Sequence, residues 1–263
     1  MVIINQEKCM GCGTCAGDCV AGNIVIKENK AVIKRECVQC GHCVAICPLN
    51  AVSIPEYDMA DVETYCPETF DLKPENVLHN IKFRRSIRSY KEKKVEREVL
   101  EKLLQAGRYT ATAHNNQNCH FVVVQDNLVS LKFGLWKYIE ILTSTEEGKA
   151  SKKLRPYAAF HRRWKENPNN DFLFRNASTV LFITSDWTMD AGLAAQNIET
   201  MAVSMKLGVL YNDYLASIVN ESEEMKKWLG IEGKEIRICM LLGYPDRTYV
   251  RTAPRKEANI IWK

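Results

Sequence analysis

Eight cysteines near the start of the chain have the spacing that most clearly indicates chemistry. The 263-residue sequence has 11 cysteines, and eight of them precede residue 50. They form two sets with spacers of two, two and three residues, and the second set follows the first by 28 residues: Cys9, Cys12, Cys15, Cys19 and Cys37, Cys40, Cys43, Cys47. Such closely spaced thiolates are typical of a metal site, because soft sulfur ligands suit iron, zinc and copper.

The spacing favours two [4Fe–4S] clusters over zinc or disulfides. Two-residue spacers let three successive thiolates reach one cube, and the fourth cysteine of each set ligates the other cluster. The expected ligand sets are Cys9, Cys12, Cys15, Cys47 and Cys37, Cys40, Cys43, Cys19. A structural zinc site also uses Cys-x2-Cys, but it does not need three cysteines at consecutive short steps. An odd number of cysteines fits disulfide pairing poorly. Residues 1–55 therefore resemble the bacterial two-cluster ferredoxins.

A short basic segment is a candidate anion site. Arg84, Arg85, Ser86 and Arg88 lie within five positions. A guanidinium group can bind two phosphate oxygens at once, and a serine hydroxyl adds a further donor. A solvated basic turn is the alternative, and the segment alone does not decide between them.

A second polar segment, from Ala111 to Gln117, contains Asn115 and directly precedes an apolar run at Phe121. Side-chain amides at the mouth of a strand are suited to the edge of a heterocycle. Taken alone, however, an ordinary asparagine-rich turn explains this segment better.

The periodicity predicts the elements that position these residues. A hairpin is expected over Ile24–Ile26 and Ala31–Ile33, and a helix with Val95, Val99 and Leu103 on one face should stop at Gly107. The predicted buried strands are 121–124, 178–185 and 236–242. A long helix capped by Asp190 and reaching about Leu207 is apolar over most of its girth, which indicates burial in a core or a subunit interface.

These elements divide the chain into two domains. We expect a cluster domain over residues 1–55, a linker over 56–75 that contains Pro67 and Pro74, and an α+β domain over 76–263. From about Tyr244 the sequence has no helical period, and it is predicted to form an extended arm.

Composition excludes several functional classes. The 36 basic and 32 acidic residues give a net charge of +4, which is too balanced to indicate binding to nucleic acid or an anionic membrane. No run of 18 apolar residues predicts a membrane span. The first residues lack the pattern of a secretory signal, so we expect a reducing, cytoplasmic location.

Taken together, the segments of the second domain resemble the nitroreductase-like flavoprotein family. The matching motifs are the basic segment Phe83–Tyr90, Asn115-x-Gln117, the long helix between Gly192 and Gly208, Gly243-Tyr244-Pro245 and Pro254-Arg255-Lys256. The resemblance covers about residues 76–263. It implies a mixed sheet flanked by helices, bound FMN, and a homodimer in which the C-terminal arm embraces the partner.

The resemblance also implies the roles of particular residues. Arg84, Ser86 and Arg88 would hold the phosphate and ribose side of FMN, with Arg85 near them. Asn115 would hydrogen-bond the edge of the isoalloxazine ring, with Gln117 close by, and Arg255 would complete the phosphate clamp.

Both halves together predict an FMN-dependent reductase with a built-in ferredoxin module. Electrons from NAD(P)H or a ferredoxin would reach a small organic acceptor such as a nitroaromatic or quinone, with Tyr211 or water as the proton donor. Two alternatives stay open. The protein could be a non-catalytic electron carrier or redox sensor, or it could pass electrons from NAD(P)H through FMN out to the clusters.

Overall fold

The computed structural model describes all 263 residues, and they form two compact units. Unit 1 comprises Met1–Leu72 together with Ala113–Asn116. Unit 2 comprises Lys73–Thr112 together with Gln117–Lys263. None of the helices has both the length and the apolar character needed to cross a bilayer.

Unit 1 is built from short elements. They are β1 (Ile3–Ile4), α1 (Thr14–Asp18), β2 (Ile24–Lys27), β3 (Lys30–Ile33), α2 (His42–Ala45), β4 (Val52–Ser53) and α3 (Pro67–Phe70). β2 and β3 pair antiparallel with Lys27 opposite Lys30, which confirms the predicted hairpin. β1 pairs with β4 and so joins the start of the cysteine-rich region to its end.

The two short helices α1 and α2 occupy equivalent places in the 28-residue repeat. Each begins after a glycine, Gly13 or Gly41, whose φ is +79°. This left-handed conformation is free of steric cost only for glycine. The helices bury the third cysteine of each set, Cys15 and Cys43, in the small core of the unit.

Unit 2 is a larger α+β structure. Its elements are α4 (Pro74–Phe83), α5 (Arg97–Arg108), β5 (His120–Val124), α6 (Leu128–Ser144), α7 (Glu146–Ala150), α8 (Arg155–Glu166), β6 (Thr179–Thr184), α9 (Thr188–Ser204), β7 (Gly208–Tyr211), α10 (Asp213–Asn220), α11 (Glu223–Trp228) and β8 (Ile236–Gly243). The strands form one sheet in the order β5-β6-β8-β7, and all neighbouring pairs are antiparallel.

Helices cover both faces of this sheet. On central strand β6, Val180 and Phe182 face one core with α6, α8 and α10, while Leu181 and Ile183 face a second core with α5 and α9. This alternation follows from the two-residue period of a strand. A parallel bridge between Ser86 and Val209 adds the start of the basic segment to the outer edge of β7. The predicted α+β class is confirmed.

Several predicted boundaries need correction. The strand at 121–124 exists, but it is the edge strand β5 and only Val124 is fully buried. Asp190 is not the cap of α9, because Trp187 occupies that position and Asp190 lies in the first turn. The helix predicted to stop at Gly107 is α5, which ends one residue later at Arg108, and Ile198 packs 2.8 Å from where a β-carbon of Gly107 would stand.

The long helix α9 has one buried and one exposed face. The buried face includes Ala191, Ala195 and Ile198, whereas Met189 and Leu193 are 68% and 45% exposed. After β8 the chain continues to Lys263 without a helix or strand, as predicted for the arm.

Candidate functional site

Two cavities in unit 1 are each lined by four cysteines. Their cysteines are Cys9, Cys12, Cys15, Cys47 for the first cavity and Cys19, Cys37, Cys40, Cys43 for the second. The structure thus brings together the same sets that the spacing grouped, including the exchange of the fourth cysteine between the two runs. The thiols of each set surround a cavity. No three histidine, cysteine, aspartate or glutamate side chains converge closely enough to hold a single metal ion.

Backbone amides point at the sulfur atoms. The N–H of Asn23 donates to Cys19 Sγ at 3.3 Å, and the N–H of Ala51 donates to Cys47 Sγ at 3.2 Å. Burial raises the pKa of the Cys43 thiol to about 11. A thiolate in such a place needs a nearby positive charge, which the iron of a cluster supplies. The residues present therefore fit two iron–sulfur cubes.

In unit 2 the basic segment is held firmly along β7. The Ile87 N–H donates to the Val209 carbonyl at 2.9 Å, and the Ile87 side chain lies over Gly208, where a β-carbon would approach it to 2.7 Å. The Tyr90 hydroxyl lies 3.0 Å from the Ile87 carbonyl oxygen and 3.1 Å from that of Leu241. Glycine at position 208 is what lets the segment lie this close to the strand.

Arg84 forms an ion pair with a buried carboxylate. Its Nη1 lies 3.2 Å from Oε1 of Glu199, a carboxylate on α9 that is 2% exposed. Burial and the charge of the same Glu199 raise the pKa of Tyr211, at the end of β7. Arg84 is thus paired with a buried acid of its own chain, which a reading of the basic segment did not reveal.

Three arginines from separate elements form what we call the arginine cluster: Arg88, Arg163 on α8, and Arg175 in the loop before β6. Arg175 lies 3.5 Å from the centre of the Phe172 ring, and Arg163 lies 5.9 Å from the same ring. The pKa of Arg175 is lowered by burial and by the nearby charge of Arg88.

No carboxylate lies within ion-pair distance of the arginine cluster, although the negative charge of nearby Asp171 raises the pKa of Arg175. None of its three guanidinium groups takes part in an ion pair, although Arg88 Nη1 lies 3.4 Å from the Ser86 carbonyl oxygen. The nearby Asp171 pairs with Lys132 instead, at 2.9 Å. A cationic group without an ion-pair partner is suited to an anionic ligand. Sequence reasoning missed Arg175, because only the fold brings it close to Arg88.

The remaining predicted residues lie in several places. Asn115 belongs to unit 1, where its side-chain N–H groups donate to the Val38 and Gln39 carbonyls, each at 3.0 Å. Gln117 belongs to unit 2, and its backbone N–H donates to Thr112 Oγ1 at 2.9 Å.

The other two predicted arginines involve the C-terminal arm. Arg85 lies 4.7 Å from the centre of the Tyr249 ring. Arg255 is exposed on the arm, and its Nη1 donates to the Pro254 carbonyl at 3.1 Å.

Comparison with known proteins identifies both parts of the chain. Residues 81–244 match the model of the nitroreductase family, and residues 1–48 match that of the 4Fe-4S dicluster domain. A Methanothermobacter thermautotrophicus protein named "Putative NADH dehydrogenase/NAD(P)H nitroreductase" is 25% identical over 180 residues, 65% of this chain and 78% of the relative.

Two solved structures share the fold of unit 2. A nitroreductase with bound FMN from Bacteroides fragilis has a TM-score of 0.57 and 22% identity, covering 70% of this chain and 96% of that one. A second from Desulfitobacterium hafniense, also with bound FMN, has a TM-score of 0.55 and 21% identity, covering 70% and 98%. Because the matching family model spans more than half of the sequence, the chain belongs to the nitroreductase family, and it carries an N-terminal 4Fe-4S dicluster domain.

Proposed function

We propose that the protein is an FMN-dependent oxidoreductase that passes electrons between two [4Fe–4S] clusters and FMN and reduces a small organic acceptor such as a nitroaromatic or a quinone. The observation that carries this proposal is the presence, in one chain, of two four-thiol cavities and a nitroreductase-family domain. FMN supplies the ability to exchange either one or two electrons, which links single-electron carriers to two-electron reductions.

The cluster ligands follow from the cavities. The thiols of each cavity bind the iron atoms of one cube, and the backbone N–H groups of Asn23 and Ala51 stabilise the thiolates of Cys19 and Cys47. The burial of Cys15 and Cys43 excludes water from the sulfur atoms that they contribute.

Positively charged residues of unit 2 are assigned to the phosphate side of FMN. Ser86, Arg88 and Arg255 hold the phosphate and ribose side with Arg85 near them, and the family resemblance implies the same role for Arg84. The arginine cluster extends this set, so that Arg175 also binds an anionic part of FMN. Arg84 contributes through its pair with Glu199, which fixes the start of the segment.

Amides are assigned to the ring edge. The Asn115 side-chain amide donates to backbone carbonyls within unit 1, and its assignment to the ring edge rests on the family resemblance alone. Gln117 lies two residues further along the chain and is assigned to the same edge. Tyr211, at the end of β7, is assigned as the proton donor with water as the alternative, although burial and Glu199 raise its pKa and so make its phenol a weaker acid.

The exposed face of α9 supports a homodimer. Met189, Leu193 and Met201 present apolar side chains there, and the neighbouring α4 also leaves Leu78 and Ile81 exposed. Large exposed apolar surfaces of this kind are typical of interfaces between protein chains.

The direct test is an anaerobic preparation of the full chain. It should contain about eight irons and about one FMN per chain, and it should reduce nitroaromatic or quinone acceptors. NADH, NADPH and a reduced ferredoxin are compared as donors, since the names of relatives mention nicotinamide substrates. Zinc in place of iron would overturn the cluster assignment, and failure with every donor and acceptor would favour a non-catalytic carrier.

A further inference from the structure

The two cluster sites are close copies with one chemical difference. The fourth cysteine of each set accepts a hydrogen bond from the backbone N–H of the residue four positions later in the chain. Asn23 donates to Cys19, and Ala51 donates to Cys47. Both first cysteines also accept one backbone hydrogen bond at 3.4 Å, from Ala31 to Cys9 and from Gln39 to Cys37. The hydrogen bonds at the first and fourth cysteines therefore match between the two sites.

The difference lies at the first residue of the short helices. In α1 this residue is Thr14, whose Oγ1 lies 3.3 Å from Cys12 Sγ. In α2 the residue 28 positions later is His42, which lines its cavity but makes no hydrogen bond to a cysteine sulfur. The hydroxyl beside Cys12 thus has no counterpart at the second site.

The direction of the Thr14 contact is fixed once the sulfur binds iron. A free thiol and a hydroxyl can each donate, but an iron-bound thiolate has no hydrogen, so the threonine must donate to the sulfur. Hydrogen bonds to cluster sulfurs are among the factors that set reduction potentials.

We propose that Thr14 is a positioning residue that gives the cluster on Cys9, Cys12, Cys15 and Cys47 a higher reduction potential than the cluster on Cys37, Cys40, Cys43 and Cys19. This inference rests on the two-cluster part of the proposed function. Reduction adds one electron to the cluster, and no bond forms or breaks. The added negative charge is shared with the thiolates, so a donated hydrogen stabilises the reduced state more than the oxidised one. The first electron therefore resides at the Cys9 site.

A positive charge on the same site acts in the same direction. Lys30 Nζ lies 2.6 Å from the backbone carbonyl oxygen of Cys9 and 2.6 Å from that of Gln6. Its ammonium group favours the more negative state of this cluster, and Arg35, whose Nη2 donates to the Ala21 carbonyl at 3.2 Å, places a positive charge near Cys19 of the second site. The difference between the two sites is therefore assigned to Thr14.

The test is a redox titration followed by EPR on anaerobic, iron-loaded full-length protein. Thr14→Val keeps the branched shape of the side chain but lacks the hydroxyl, and it should shift the higher of the two midpoint potentials downward while the lower one stays. Thr14→Ser keeps the hydroxyl and should leave both in place. Cys12→Ala identifies the Cys9 site as the signal that is lost.

The reverse substitution tests the second site. His42→Thr introduces a hydroxyl at the equivalent position and should raise the lower midpoint potential. Unchanged potentials in Thr14→Val, with two clusters present by iron content and EPR, would overturn the role of Thr14 while leaving the proposed function intact. Absence of two clusters from the wild-type protein would instead overturn the proposed function.

Discussion

Single arginines of the basic segment differ in what they can offer a ligand. Arg84 forms an ion pair with Glu199, whose carboxylate is buried. Arg88 has no acidic partner, and its guanidinium lies near the Ser86 carbonyl oxygen. Removing one member of a buried pair leaves an uncompensated charge, whereas replacing both by apolar side chains is often neutral. Arg84 is therefore predicted to act mainly on the stability of unit 2, and Arg88 mainly on ligand binding.

Arg84→Met should lower the free energy of unfolding by roughly 3 kcal/mol, because Glu199 is left buried without a partner. The double variant Arg84→Met/Glu199→Leu should recover most of this loss. Arg97→Met serves as the control, since Arg97 forms an exposed pair with Glu101. Denaturant unfolding measures all of them, and equal losses in the single and double variants would contradict the buried pair.

Arg88→Met and Arg175→Met should each weaken FMN binding by roughly 10- to 100-fold, the range expected for a lost hydrogen bond to a charged group. Arg162 is the matched control, because it lies beside Arg163 on α8 but does not belong to the arginine cluster. Arg162→Met should bind FMN normally. The measurement is the equilibrium dissociation constant of FMN for the apoprotein of each variant. Unchanged FMN affinity in Arg175→Met would remove that residue from the FMN site.

Among the elements, β7 carries the basic segment and depends on a glycine. The Ile87 side chain occupies the space that a β-carbon at position 208 would need. Gly208→Ala should therefore destabilise unit 2 by about 1–3 kcal/mol and loosen FMN binding, as overpacking does. In Ile87→Ala/Gly208→Ala the two effects should be less than additive, because the smaller side chain makes room. Fully additive losses would argue against this packing.

The exposed face of α9 carries the dimer proposal. Leu193→Asp places a charge on the apolar face and should convert the protein to a monomer in analytical ultracentrifugation. Val129→Asp on α6 is the control, since Val129 is also exposed but lies on a different helix. A wild-type monomer, or an unaffected dimer in Leu193→Asp, would refute an interface through this face.

Elements with a strong local pattern were predictable from the sequence, and those defined by distant packing were not. The hairpin of β2 and β3 and the strands β6 and β8 follow from alternating or apolar runs with clear ends. β7 has only four residues and follows α9 after a short turn, so its apolar residues look like the end of the helix. The end of α5 was predictable from Gly107 to within one residue, but the packing of Ile198, 91 residues later, against that glycine was not.

The same distinction holds for the site. The cysteine sets were predictable because their spacing is local and repeated, and the structure groups them around the same two cavities. The Arg84–Glu199 pair joins residues 115 positions apart, and Arg175 approaches Arg88 through the loop before β6. No local sequence pattern encodes either contact.

For the whole molecule, the central claim is that the clusters and FMN of one chain exchange electrons during reduction of an acceptor. Both four-thiol cavities belong to unit 1, and the arginines assigned to the FMN phosphate belong to unit 2. Asn115, which is assigned to the flavin ring, lies in unit 1 beside Val38 and Gln39 of the second cysteine run, so Cys12 of the first cavity is the cysteine to change. Cys12→Ala should abolish one cluster but leave FMN bound, and this makes cluster-dependent turnover measurable in an otherwise folded protein.

The most direct measurement is the anaerobic rate of nitroaromatic reduction driven by a reduced ferredoxin, compared between the wild type and a Cys12→Ala variant that retains FMN. The account predicts rapid turnover in the wild type and a loss of at least about tenfold in the variant, a barrier increase of about 1.4 kcal/mol. Equal rates in both proteins would show that this cluster takes no part in the reaction and would contradict the account.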